Sequence, residues 1–258
     1  MPPQNPSPTV KDAIVIDNLT MGYGDFIIQK DLNFGIHRGD IFIIMGGSGC
    51  GKSTLLRHMI GLLRPKNGRI LYGDRDLWAL DIDGRETLLR GTGVLYQQGA
   101  LWSSMTLAEN IAMPLQAYTD LSPGEIDDLC AVKLALVGLA GFESYYPSQI
   151  SGGMQKRAGL ARALALDPEI LFFDEPSAGL DPISSRLLDD LIIELRDSLG
   201  ATIVVVTHEL ASIFAIGTNS VFLDPTTKTM IAQGKPGDLL EHCDNPTVQH
   251  FLRRETNA

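Results

Sequence analysis

The sequence predicts an α/β fold, a mostly parallel sheet with helices on both faces. Three observations predict it. Apolar runs such as "IFIIM" (41–45), "EILFFDE" (169–175), "TIVVVTHE" (202–209) and "SVFLD" (220–224) have the length and composition of strands buried on both faces. Helical patterns such as "ISSRLLDDLIIELRDSLG" lie between them, and strands alternating with helices build parallel sheets. Finally, three of the runs end in residues that carry chemistry: a glycine-rich loop with a lysine, an Asp-Glu pair and a histidine. Strand C-termini are where open α/β sheets bind ligands.

The elements follow in order. "AIVIDNLTMGYGDFIIQKDLNFGIHRGDIFIIM" (13–45) reads as several short strands, because Gly, Asp and Asn punctuate the apolar alternation. "STLLRHMIGLL" after the glycine-rich loop reads as a helix, and "RPKNGRILYGDRDL" as a turn, a short strand and another turn. A short strand, 93–96, ends at Gln97 and Gln98. From about 103 to 165 the pattern is helical, with Ser122 before Pro123 and Glu125 as a helix start. The first ten residues contain four prolines and read as a loose tail over 1–11, with a C-terminal tail expected over 253–258.

Composition narrows the function classes. The chain has 258 residues, 44% hydrophobic and 20% charged, which suits one α/β domain or two small ones. No apolar run reaches the ~18–20 residues that span a bilayer, and the N-terminus lacks the charged and apolar regions of a secretory signal. A soluble protein is expected, with any membrane role supplied by a partner. The net charge of −10 argues against broad nucleic-acid binding. Three dispersed cysteines, Cys50, Cys130 and Cys243, have no metal spacing and fit a reducing compartment.

The stretch "MGGSGCGKST" (45–54) meets the pattern Gly-x-x-x-x-Gly-Lys-Ser/Thr between a strand and a helix. Glycines let successive N–H groups face one anion, and the helix N-terminus adds positive charge. Gly46, Gly47, Ser48, Gly49, Cys50, Gly51, Lys52, Ser53 and Thr54 thus form a candidate nucleotide cradle. Lys52 would bridge the β- and γ-phosphates of ATP and Ser53 would ligate Mg²⁺. Asp174 is placed to hold the same Mg²⁺, and Glu175 to polarise a water. A plain strand-end turn would also explain Asp-Glu-Pro, but not together with the upstream loop. "ISGGMQKR" (150–157) puts Ser151, Gly152 and Gly153 before a helix rich in Ala, Leu and Arg. It is a second anion site, or Ser151 is simply a helix cap. His208 ends a strand of the same sheet, and Gln97 ends another and could orient water or contact the metal. Tyr23 could stack an adenine or merely pack at a turn.

In combination these stretches resemble the ATP-binding cassette family of transporter ATPases, over about residues 12–252. Tyr23, the loop 46–54, Gln97, Ser151–Gly153, Asp174 with Glu175, Asp181 in "SAGLDP" and His208 stand in the family's order. The resemblance implies a P-loop NTPase fold, with a RecA-like core, an antiparallel β subdomain and a helical subdomain inserted at about 99–163. It also implies a head-to-tail homodimer that sandwiches two ATPs, with Asp181 linking the sites. Met154 stands where Gln is usual. "SGGMQKR", "YQQGALWSSMTLAENIAMPL" and "GLDPISS" look like the ATPase subunits of Mla-type systems. Those subunits serve phospholipid traffic with a membrane permease, an MCE-domain protein and a small STAS-domain protein. That implies a peripheral position on the cytoplasmic face of the inner membrane. An ATPase for amino-acid or other small-solute import is the alternative. A soluble ribosomal ATPase is disfavoured because the resemblance implies two cassettes there and this chain has one glycine-rich phosphate loop, and a DNA-repair one because only 98 positions separate Ser53 from Ser151 and leave no room for a long coiled coil.

Overall fold

The computed structural model describes residues 12–253. The expected N-terminal tail, and residues 254–258 of the C-terminal one, lie outside the described residues. The chain opens with β1 (Asp12–Tyr23) and β2 (Phe26–His37), an antiparallel pair. Next come β3 (Ile41–Gly46), α1 (Lys52–Met59), β4 (Asn67–Tyr72), β5 (Arg75–Asp76), α2 (Ile82–Arg90) and β6 (Thr92–Leu95). Helices α3 (Leu107–Tyr118), α4 (Pro123–Leu136) and α5 (Gly152–Ala163) follow together. The remainder alternates: β7 (Ile170–Asp174), α6 (Pro182–Leu199), β8 (Thr202–Val206), α7 (Leu210–Ile216), β9 (Asn219–Asp224) and β10 (Thr229–Gln233). Helices α8 (Pro236–His242) and α9 (Pro246–Arg253) end the described chain, so Arg253, expected in the tail, lies in a helix.

Two sheets result. One is antiparallel, in the order β2-β1-β4-β5. The other runs β10-β9-β3-β8-β7-β6, parallel throughout except for β10 at its edge. The short strands expected over 13–37 are instead two strands of 12 residues each. Asp17-Asn18 reads as a strand break because it interrupts the apolar alternation. It is an irregularity in the pairing: Asn18 takes φ +49° and donates its N–H to Asn33 Oδ1 at 2.8 Å, and pairing resumes at Leu19.

All six residues of β3 are buried, and they divide between two cores. Ile41, Ile43 and Met45 face a core built with α3 to α7 and α9. Phe42 and Ile44 face a second core, filled by α1 and the antiparallel sheet. Phe172 and Phe173 of β7 divide the same way, as alternation along a strand requires. Each such side chain contributes roughly 1.5–3 kcal/mol on burial. Helices α3 and α4 start at capping boxes, Thr106 with Glu109 and Ser122 with Glu125, the second as the sequence indicated. Asn110, fully buried in α3, exchanges hydrogen bonds with both the N–H and the C=O of Trp102, fixing the loop that enters this helix.

His58 of α1 is buried without a catalytic neighbour. Its Nδ1 lies 2.7 Å from Leu63 O, and Nε2 has no partner among the described residues. Burial holds its pKa below the usual 6.5. As pH falls below about 6.5 the unfolded chain therefore gains a proton that the folded chain refuses, and stability falls with pH. The loss levels off once pH passes the depressed folded value. His58→Gln should flatten the fall in urea midpoint between about pH 7 and 5 relative to the parent. Equal slopes in the two proteins would refute this account.

Candidate active site

Strands β3, β8 and β7 are parallel neighbours, so their C-terminal ends meet along one edge. They open on a cavity of about 640 Å³ lined by residues 46–49 and 51–54, Glu175 and His208, with Ile28, Leu210 and Phe251 completing the wall. The cradle has its shape because two glycines cannot be replaced. Gly46 has φ +147°, and a Cβ there would lie 2.3 Å from Leu223 O. Gly51 has φ +99°, and a Cβ would meet Ile28 Cγ2 at 2.5 Å. Gly51 is also the N-cap of α1, so no side chain claims that helix's first amides. Lys52 Nζ donates to Gly46 O at 2.9 Å and Gly47 O at 3.2 Å, folded over the loop it belongs to. The thiol of Cys50, despite its place in the loop, is buried and pushed up by desolvation, so it is an inert packing group.

The acidic strand end completes the arrangement. Ser53 Oγ donates to Asp174 Oδ1 at 2.9 Å. Burial raises the Asp174 pKa, with the Ser53 hydrogen bond pulling the other way. Glu175 turns the chain out of the sheet at φ +50°, its N–H donated to Val206 O at 2.8 Å. That conformation costs a side-chain-bearing residue about 1–3 kcal/mol. Glu175 Oε1 lies 2.8 Å from His208 Nδ1, while Oε2 is buried with no partner among the described residues. The carboxylate is 13% exposed and the imidazole 58%. An orphaned buried carboxylate oxygen beside a glycine cradle and an uncapped helix fits a polyphosphate with its water. The Ser53–Asp174 oxygen pair fits a hard cation.

The structure thus brings together the cradle, Asp174, Glu175 and His208. Asp174 joins through its hydrogen bond with Ser53 rather than as part of the cavity wall, and the wall does not include the remaining expected residues. Tyr23 sits half-exposed where β1 meets the hairpin turn. Gln97 is exposed just beyond β6, and Trp102 is 56% exposed. Ser151 caps α5 through the Met154 N–H at 3.3 Å, exposed and apart from this cavity. Asp181 caps α6, its pKa lowered by the Ser184 hydroxyl.

Some supporting residues escaped sequence reasoning. Gln29, wholly buried in β2, donates Nε2 to Cys50 O at 2.8 Å and Asp224 O at 3.1 Å, tying the cradle to the end of β9. Its one signal was a polar residue at an inward position. Arg162 donates to Gly99 O and Ala100 O, holding the segment after Gln97. Gly159 allows the close approach, since a Cβ there would lie 2.9 Å from Gly99 O.

A family profile described as ABC transporter matches residues 29–178. The chain belongs to the ABC transporter family. It has that family's mixed α/β fold. It is 41% identical over 242 residues, 93% of its length, to the probable ribonucleotide transport ATP-binding protein mkl of Mycobacterium tuberculosis (strain ATCC 25618 / H37Rv). It spans 66% of that relative, just under two thirds of its length. It is 37% identical over 248 residues to the intermembrane phospholipid transport system ATP-binding protein MlaF of Haemophilus influenzae, covering 96% of this chain and 93% of that one. Among solved structures, this ABC ATPase is similar to cbiO1 of Clostridium perfringens, part of the ABC transporter complex cbiONQ. There the TM-score is 0.82 at 27% identity, over 90% of this chain and 92% of that one. It is also similar to the ATP-binding cassette MJ0796 in a dimeric post-hydrolysis state bound to ADP and Pi. The TM-score is 0.76 at 29% identity, over 86% and 98% of the two chains.

Proposed function

We propose that this ABC ATPase powers phospholipid traffic between the inner and outer membranes. The observation that carries the reading is the likeness to MlaF, which extends over nearly the full length of both chains. In this reading two copies meet head to tail; the similar cassette MJ0796 has a dimeric structure. They sit at the cytoplasmic face of the inner membrane on a permease that works with an MCE-domain protein and a small STAS-domain protein. The segment 99–163, within a cassette spanning 12–252, relays motion to the permease, whose helices dock near Gln97 and Trp102. Among the described residues no helix is long and apolar enough to cross a membrane, which suits a subunit held by a partner.

The residue roles in this reading are those of the sequence pattern, and the geometry supports those of the cradle, Asp174, Glu175 and His208. Lys52 and the amides of 46–54 hold the β- and γ-phosphates, and Tyr23 stacks the adenine. Ser53, Asp174 and Gln97 would hold Mg²⁺, which would supply charge neutralisation at the phosphates. Glu175 accepts a proton from the attacking water. His208 Nδ1 is committed to Glu175, so Nε2 is the atom left to face the γ-phosphate. Ser151, Gly152 and Gly153 lie away from their own chain's cavity, and in the dimer they close on the γ-phosphate of the other chain. Asp181 links the two sites.

The test is a mild-detergent pull-down of the tagged chain from its native membranes, with mass spectrometry of proteins and lipids. A permease, an MCE-domain protein and bound phospholipid are expected. A solute permease with its binding protein would replace the lipid reading, and the ribonucleotide name of the mycobacterial relatives makes nucleotides the first solute to look for.

A further inference from the structure

Lys156 is a buried cation that the site described so far does not use. It lies on α5, five residues after the Ser151 cap, and the residue is 7% exposed. Its ammonium meets main-chain oxygens of one short loop. It donates to Pro176 O at 2.6 Å and Ala178 O at 2.6 Å, with Glu175 O at 3.4 Å. An ammonium has three donors and no acceptor, and these three carbonyls account for them. Burial pulls the Lys156 pKa down, and the Glu175 charge partly restores it.

Such a residue is costly merely to fill a helix position, because a buried cation loses its hydration. Its neighbours Ala158, Gly159, Leu160 and Ala161 fill theirs with apolar groups. The loop it holds is the one that needs holding. Glu175 stands in the left-handed backbone region at φ +50°, and such a conformation persists only where its surroundings over-determine it. The Val206 carbonyl fixes it from the N–H side. Lys156 fixes it from the carbonyl side and over the following three residues. The contact between α5 and α6 beside the loop is equally close, since a Cβ on Gly153 would lie 3.3 Å from Ser184 Oγ.

We propose that Lys156 is a positioning residue for ATP hydrolysis, clamping the backbone of 175–178 so that the Glu175 carboxylate keeps its aim at the attacking water. The proposal rests on Glu175 being the base. It also gives the N-terminal half of α5 two duties: Ser151 caps the helix and Lys156 holds the Glu175 loop.

The experiment compares Lys156→Met, Lys156→Gln and Lys156→Arg with the parent and with Glu175→Gln, in the full chain. Lys156→Met should lower kcat about 10- to 100-fold, as expected for a misplaced reacting group, with KM for ATP within about twofold. Lys156→Arg, which keeps charged donors, should recover most of kcat. Amide exchange at Ala178 and Leu180 should quicken in Lys156→Met while the core strands stay protected. If Lys156→Met does not fold, Lys156→Gln carries the same test, with kcat falling and KM held. Parental kcat in a folded Lys156→Met or Lys156→Gln overturns the proposal. A joint loss of kcat, KM and melting temperature that Arg does not rescue also overturns it, and leaves Lys156 a packing residue. Should Glu175→Gln retain turnover, the assignment of the base fails. With Glu175→Gln inactive and the Lys156 variants fully active, the clamp alone fails.

Discussion

Glu175→Gln should abolish steady-state ATP hydrolysis, lowering kcat by about 10²- to 10⁴-fold, the usual contribution of a general base. The substitution keeps the side chain's shape. An amide oxygen can still face His208 Nδ1, which lies 2.8 Å from Oε1 in the parent. What disappears is the ability to take a proton. The cradle, Lys52 and Ser53 are untouched, so ATP affinity should hold. ATP that binds without being consumed should keep two chains together, and size-exclusion chromatography with ATP should show a dimer that the parent loses on hydrolysis. Parental turnover in the variant would remove Glu175 from the chemistry and leave its buried, unpartnered Oε2 without explanation.

Lys52→Ala has its large effect one step earlier. The ammonium lies on Gly46 O and Gly47 O, neutral acceptors that phosphate oxygens outbid. Hydrogen bonds to a charged partner contribute about 1.5–3 kcal/mol each. Removing the cation should therefore weaken ATP binding by roughly ten- to a hundredfold, with little change in melting temperature because Lys52 is only part-buried. Titration with a fluorescent ATP analogue reads this directly. Unchanged affinity would contradict the phosphate role of the loop.

The parts of the site that sequence revealed are those whose chemistry is local. Gly46 to Thr54 is a contiguous turn with its own steric requirements. Asp174, Glu175 and His208 announce themselves as polar residues at the ends of apolar runs. The alternation of strands and helices then places those ends side by side. The supporting contacts are not local, and composition does not encode them. Gln29 reaches Asp224 across 195 positions, and Arg162 reaches back 62 to Ala100. Lys156 was one more basic residue in "GGMQKRAGL" until folding turned its side chain inward. Asp17-Asn18 misled because a bulge and a strand end have the same composition. The last helix carries no motif, and only its packing reveals it. Val248 and Leu252 are buried in it and Phe251 packs edge-on against Phe222 at 5.1 Å, so α9 docks on its own chain.

The division of β3 and β7 between two apolar cores carries a consequence for alignment. In a strand with one wet face, a slip by one residue is forbidden because it drives polar groups inward. A strand apolar on both faces lacks that safeguard. Sliding β7 by one position would exchange Phe172 for Phe173, oil for oil, and still carry Asp174 some 3.3 Å away from Ser53. Something else must index the strands, and it lies at the far edge of the sheet. There Gly39 N–H donates to Thr202 Oγ1 at 3.0 Å and Ile41 N–H to Thr218 Oγ1 at 2.9 Å. Two threonine hydroxyls a full strand length from the glycine cradle thus peg β3 against β8 and β9, as side-chain marks of register at the end away from the site.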